Sequence, residues 1–242
     1  MRLVRVAPIV LDLRRGGRRL VYVGVRHSFD PDDAMFEALR AKIRRVRPDV
    51  LLHEGGEPPT DGSLDARIRE FGEAAFVRAV AAEHGIRARC HDLSLAQQAA
   101  RLARVHGRDV VLLFMVLRQL GSWNASGSKA ARRHTAELVH SVGRSLSWRA
   151  ASMRHVRREY ACQFGRPLAI ERVTPRHTDP SRGDHLMNRI AREASQLRDE
   201  HMLRVIARAL RTHECVLAVA GASHVAAQRR AVRKLFAGRS PA

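Results

Sequence analysis

Short β-rich apolar runs alternate with segments of helical period along this chain. Leu3 to Leu13 and Leu20 to Val25 are two such runs, separated by Arg14-Arg15-Gly16-Gly17-Arg18-Arg19. A Gly-Gly pair between β-rich runs predicts a hairpin. Asp30-Pro31-Asp32-Asp33 opens a helix that runs to about Arg45, with acids and Pro in the first turn where the helix dipole favours them. Met35, Leu39 and Ile43 give it an apolar stripe. Asp49 to Glu54 reads as a buried strand. The alternation then repeats: a helix over Glu73–His84, a strand over Ile86–His91, and a helix over Ser94–His106 closed by Gly107. Asp109 to Met115 is an apolar segment that fits either a strand or a buried helix. Lys129 to Tyr160 is helical and Arg-rich, and residues 165–183 form a Pro-containing irregular crossing. His185–Arg211 is a long helix, Cys215–Ala220 the last strand and Val225–Phe236 the last helix. Strands alternating with helices predict an α/β fold: a central, mostly parallel sheet with an N-terminal hairpin and helices on both faces. The chain is expected to form one domain over residues 1–242, with a helical insertion at roughly 118–182.

Polar residues appear where the apolar runs stop. Val21-Tyr22-Val23 leads into Gly24-Val25-Arg26-His27, and Val50-Leu51-Leu52 into His53-Glu54-Gly55-Gly56. Ile86 to Cys90 leads into His91-Asp92, and Val216 to Ala220 into Gly221-Ala222-Ser223-His224. In open parallel sheets the ligand crevice lies beyond the strand C-termini. Gly24 and Gly221 permit a sharp turn and close backbone approach. Ser223 is expected to cap the final helix, placing His224 in its first turn. Two imidazoles with one or two carboxylates suit a divalent metal ion such as Mn, Co or Zn. The candidate metal ligands are His27, Glu54, His224 and Asp92. Glu54 also serves as a candidate general base.

Composition narrows the function classes. The chain has 242 residues, 45% of them hydrophobic and 5% aromatic, and a formal net charge of +20. The positive charge is almost entirely Arg, with Lys only at 42, 129 and 234, and it is scattered along the predicted helices. That distribution reads as a solvated surface favouring anionic ligands; without aromatic interleaving it does not read as a specific nucleic-acid binder. Three cysteines without CxxC spacing exclude a cysteine zinc site of the usual pattern. No apolar leader precedes the first strand, and the longest apolar run, Val110 to Leu117, is too short to span a bilayer. A cytoplasmic location without a membrane span is therefore expected, and composition does not indicate an oligomeric state.

Taken in order, Gly24-x-x-His27, Pro48-Asp49-Val50-Leu51-Leu52-His53-Glu54-Gly55, Asp92, Arg198-Asp199-x-x-Met202 and Gly221-Ala222-Ser223-His224 resemble the TraB/Tiki/GumN-like proteins. These are grouped with the erythromycin esterase-like and ChaN-like haem-binding proteins. The resemblance covers residues from about 20 to 115 and from about 184 to 236. It implies a metal-dependent hydrolase of peptide or ester bonds, acting on a peptide or small-molecule substrate. The family's paired histidines match His27 and His224, and its acid after the second strand matches Glu54. Its Glu-Arg-Asn/Asp motif matches Arg198 and Asp199, while Leu197 departs from it. Arg198 thereby becomes a candidate catalytic charge clamp.

Each residue has a competing structural reading. Asp92 can cap the following helix, and Glu73 can answer the dipole of the helix it opens. Arg198 can form a helix-surface ion pair, and Arg26 can be an ordinary surface cation. His53 and His91 precede acids and are expected to point away from the site if the strands continue. Trp123 and Trp148 read as packing anchors of the insertion. A non-catalytic haem or tetrapyrrole binder using the same histidines is the alternative function.

Overall fold

A computed structural model describes residues 9–125 and 130–238. The chain divides into two compact units, residues 1–92 with 199–242, and residues 93–198.

The first unit holds the whole sheet. Its strands are β1 (Ile9–Arg15), β2 (Arg18–Val25), β3 (Val50–His53), β4 (Arg87–Cys90) and β5 (Cys215–Gly221), in the order β1-β2-β5-β3-β4. β1 and β2 pair antiparallel with Arg15 opposite Arg18. Gly16 and Gly17 take φ of +53° and +76°, as a two-residue hairpin of this hand requires. The start of the predicted first run, Leu3 to Pro8, lies outside the described residues. All other pairings are parallel. β5 enters between β2 and β3, and Asp49 Oδ2 pins its start by accepting the N–H groups of Glu214 and Cys215 at 2.9 and 2.7 Å.

Both faces of the sheet are covered. α1 (Ala34–Val46), α2 (Leu64–Phe71) and α3 (Glu73–Glu83) bury Phe36, Ile43, Ile68 and Val77 against Val21, Leu51 and Val219. The opposite face buries Leu20, Tyr22, Leu52 and Ala218 with Ile206, Leu210, Val225 and Val232. Those partners come from the second half of α8 (Leu186–Thr212) and from α9 (Ala222–Ala237). α2 is not anticipated by the sequence pattern; Ser63 caps it by accepting the Ala66 N–H.

The second unit contains α4 (Leu95–His106), α5 (Arg108–Ala125), α6 (Ala130–Ser145), α7 (Met153–Phe164) and the first part of α8. The apolar run at 109–115 resolves as helix within α5, where Val111 to Leu117 are all buried in one core. A helix surrounded by apolar partners has no polar face, and so leaves no helical period to read. The helical stretch expected over 129–160 is two helices with a break at 146–152, and 3₁₀ turns at Ile170–Arg172 and Pro175–Thr178 punctuate the irregular crossing. The insertion expected at 118–182 falls inside this unit. No helix among the described residues is long and apolar enough to cross a membrane.

Candidate functional site

β2, β5 and β3 run parallel, so the segments that follow them leave the same edge of the sheet. β2 and β3 are consecutive in sequence yet separated by β5, which makes this edge a switch point of the kind that forms a crevice. His27, Glu54 and His224 emerge here.

Glu54 is buried at 5% exposure. Its Oε2 accepts the Gly221 N–H at 2.7 Å. Gly221 is the N-cap residue of α9 and no side chain caps that helix, so the expected cap by Ser223 is not formed. The helix starts at Ala222, three residues earlier than expected, and His224 does stand in its first turn.

Each histidine is tethered through Nδ1. His224 Nδ1 donates to Asp199 Oδ1 at 2.6 Å, and its Nε2 lies 3.7 Å from Glu54 Oε1. His27 Nδ1 donates to Glu73 Oε1. The ring of His27 rests on Gly221, since a Cβ there would come within 2.8 Å of His27 Nε2 and 3.5 Å of Glu54 Oε2. His27 and Glu54 therefore meet at one glycine, with His224 Nε2 beside Glu54 Oε1. A further glycine sets the His27 side: Gly72 has φ of +58°, and a Cβ on it would meet the Ser28 carbonyl at 2.9 Å. The loop behind His27 thus seats directly before Glu73, itself buried at the start of α3.

A buried network extends from His224. Tyr22 OH donates to Gln228 Oε1 at 3.0 Å, and Gln228 Nε2 donates to Asp199 Oδ1 at 2.7 Å. Burial first, then the carboxylates of Glu54, Asp199 and Asp92, push the Tyr22 phenol far above its ordinary range, so it stays a donor. Gln228 is four residues after His224 on one helix face. Gln228 is a site residue that the sequence does not flag, and Glu73 one for which a helix-dipole reading competes with a site role. The acid at a helix start already has a dipole explanation, and glutamine on an apolar face carries no chemical signature.

Asp92 stands at the end of β4 and is partly exposed; Ser94, not Asp92, caps α4 through a capping box with Gln97. His53 is buried, donates from Nδ1 to its neighbour's carbonyl at 3.3 Å, and is pushed down to about 4 by burial. Arg26 bonds Asp33 Oδ2 at 2.6 Å, the N-cap of α1, which agrees with a surface cation. Arg198 is buried on α8 in the second unit, and Leu197, where the motif has glutamate, packs on that unit's apolar core. Trp123 and Trp148 pack against the same core.

Imidazole and carboxylate are donor types that divalent ions take. Carboxylate-tethered imidazoles presenting Nε2 are the usual form of histidine ligands. The 3.7 Å between His224 Nε2 and Glu54 Oε1 is close to the roughly 3.4 Å separating two ligands 2.0–2.1 Å from a tetrahedral ion. Among the described residues, no group of three or more His, Cys, Asp or Glu side chains is arranged to hold a metal ion. Comparison with protein-family profiles, curated proteins and solved structures finds no match to the chain.

Proposed function

We propose that the chain hydrolyses amide or ester bonds at this strand-end site, as the motif resemblance to TraB/Tiki/GumN-like proteins suggests. One observation carries the reading. Two imidazoles from different strand ends, each fixed through Nδ1 by its own carboxylate, flank one buried glutamate: His224 Nε2 lies 3.7 Å from Glu54 Oε1, and the His27 ring meets Glu54 Oε2 at Gly221.

The chain's own groups divide the work. Asp199 and Glu73 hold His224 and His27 in the Nδ1–H tautomer, which leaves the basic lone pair at Nε2. Glu54, held through Oε2 by a backbone N–H, acts in one of two roles: as the base that takes a proton from a nucleophilic water and returns it to the leaving group, or as an oxygen ligand beside the histidines. A divalent ion held by His27, Glu54 and His224 would supply a more acidic water and a polarised carbonyl. The net charge of +20 favours anionic substrates.

The test is hydrolysis of a panel of p-nitrophenyl esters and aminoacyl p-nitroanilides, each with Mn, Co or Zn added. Turnover of at least one class, reduced about 100-fold or more in Glu54→Gln, is expected. A wild-type chain inactive on every member with every ion contradicts the reading, as does a fully active Glu54→Gln.

A further inference from the structure

The acid-poor end of the chain folds onto one face of the sheet. Residues 201–242 hold a single acid, Glu214, which stands in the turn between α8 and β5. The second half of α8 and the whole of α9 cover the same sheet face, where Ile206 and Leu210 pack with Val225 and Val232. Gln228 ties the two helices together by donating to Asp199 Oδ1 and to Met202 Sδ. With the apolar residues turned inward, the other sides of both helices are left to solvent.

Helical spacing puts the cations there. Arg204, Arg208 and Arg211 recur at i, i+4 and i+7 on α8, and Arg229, Arg230, Arg233 and Lys234 at i, i+1, i+4 and i+5 on α9. All seven are exposed. Of the two acids on this part of α8, Asp199 is engaged by His224 and Gln228, which leaves Glu200 as the one exposed carboxylate on either helix. Charge that is scattered along the sequence is gathered by the fold on one helical layer of the first unit.

What this layer lacks narrows its partner. No large apolar side chain is exposed over residues 199–212 or 222–237, and the only aromatic there, Phe236, is buried. A helix that enters a bilayer surface needs an apolar face. A protein interface needs an aromatic or aliphatic anchor, and single-stranded nucleic acid an aromatic platform for its bases. A partner held by charge alone remains. Duplex DNA carries one negative charge per about 1.7 Å of its axis. The roughly 10 Å of helix from Arg204 to Arg211 lies against about six such charges. Guanidinium also matches phosphate oxygens as a bidentate fork.

We propose that the outer face of the α8–α9 layer binds the sugar-phosphate backbone of duplex DNA without reading its sequence. The proposal is independent of the hydrolytic reading, and it agrees with the absence of aromatic interleaving, since no base is contacted.

Fluorescence anisotropy of a labelled DNA duplex of about 20 base pairs, titrated with the full chain between about 50 and 200 mM NaCl, tests it. In wild type, log K is expected to fall with log salt at a slope of about −3.6 or steeper, the value for four phosphates. Arg204→Gln/Arg208→Gln/Arg211→Gln and Arg230→Gln/Arg233→Gln/Lys234→Gln are each expected to make the slope shallower by about 2–3 and to weaken binding about tenfold or more. Arg154→Gln/Arg157→Gln/Arg166→Gln removes the same charge from the second unit and is expected to change the slope by less than about 1. The proposal is overturned by a helix variant that keeps the wild-type slope, or by a second-unit variant that loses as much. It is equally overturned by wild type that fails to bind at the lowest salt, or that binds single-stranded DNA, an RNA duplex or phosphatidylserine vesicles more tightly than the DNA duplex.

Discussion

His224 donates from Nδ1 to Asp199 Oδ1 at 2.6 Å, and the same oxygen accepts Gln228 Nε2 at 2.7 Å. One carboxylate oxygen thus sets both the tautomer and the orientation of the imidazole. Asp199→Asn keeps the shape and removes the charge. It is expected to lower metal affinity or turnover about 10- to 100-fold, the usual cost of losing such a supporting partner. Thermal unfolding is expected to change little. Isothermal titration and kinetics beside a melting curve check this, and wild-type values for Asp199→Asn would contradict it.

Gly221 and Gly24 lie close together on neighbouring strands, yet adding a methyl to each has different expected consequences. At Gly221 the methyl meets the end of the His27 side chain at 2.8 Å, and that side chain is half exposed and able to swing away. Gly221→Ala should therefore cost under about 1 kcal/mol in stability while displacing His27 from the site. At Gly24 the methyl meets Ala222 Cα at 3.0 Å and Val225 at 3.2 Å, which is the seat of α9. Gly24→Ala should cost about 1–3 kcal/mol, lowering Tm by roughly 2–4 °C per kcal/mol. Melting curves of the two variants, with the ring resonance of His27 in Gly221→Ala, separate the cases. Equal losses of stability would show that the His27 ring does not yield.

Much of this arrangement is legible in the sequence because a strand end is a sharp boundary. The apolar runs Val21–Val23, Val50–Leu52 and Val216–Ala220 stop abruptly, and Gly, His and Glu follow at once. The supporting carboxylates are less legible. Glu73 is 46 residues from His27, and only the turn at Gly72 brings it back. α5 is ambiguous because its apolar run is buried on every side, and the start of α9 is misplaced because Glu54 engages the Gly221 N–H where a serine cap is expected.

Asp33 links the start of α1 to the residue before His27. Its Oδ1 accepts the Met35 N–H at 2.9 Å, and its Oδ2 binds Arg26. The Met35 N–H foremost, with Ser28 and Arg26, holds the carboxyl below its ordinary 3.8 against the opposing effect of burial. A lowered folded pKa means that this stabilisation is complete above the unfolded value and is lost as pH falls through the folded one. Asp33→Ala should cost about 1 kcal/mol at pH 7, with the gap to wild type narrowing as pH falls below the ordinary 3.8. Urea unfolding at pH 7 and pH 3 checks both. A gap that stays constant or widens in acid would contradict the assignment.

The proposed hydrolysis requires that His27, Glu54 and His224 form one site. Nitrogen-15 spectra of the histidine rings, recorded for wild type and Glu54→Gln under the same conditions, test it most directly. The predicted result is a shift at both His27 and His224, with His106 and His185 of the second unit unmoved. Movement at His224 alone, with His27 at its wild-type position, would contradict it.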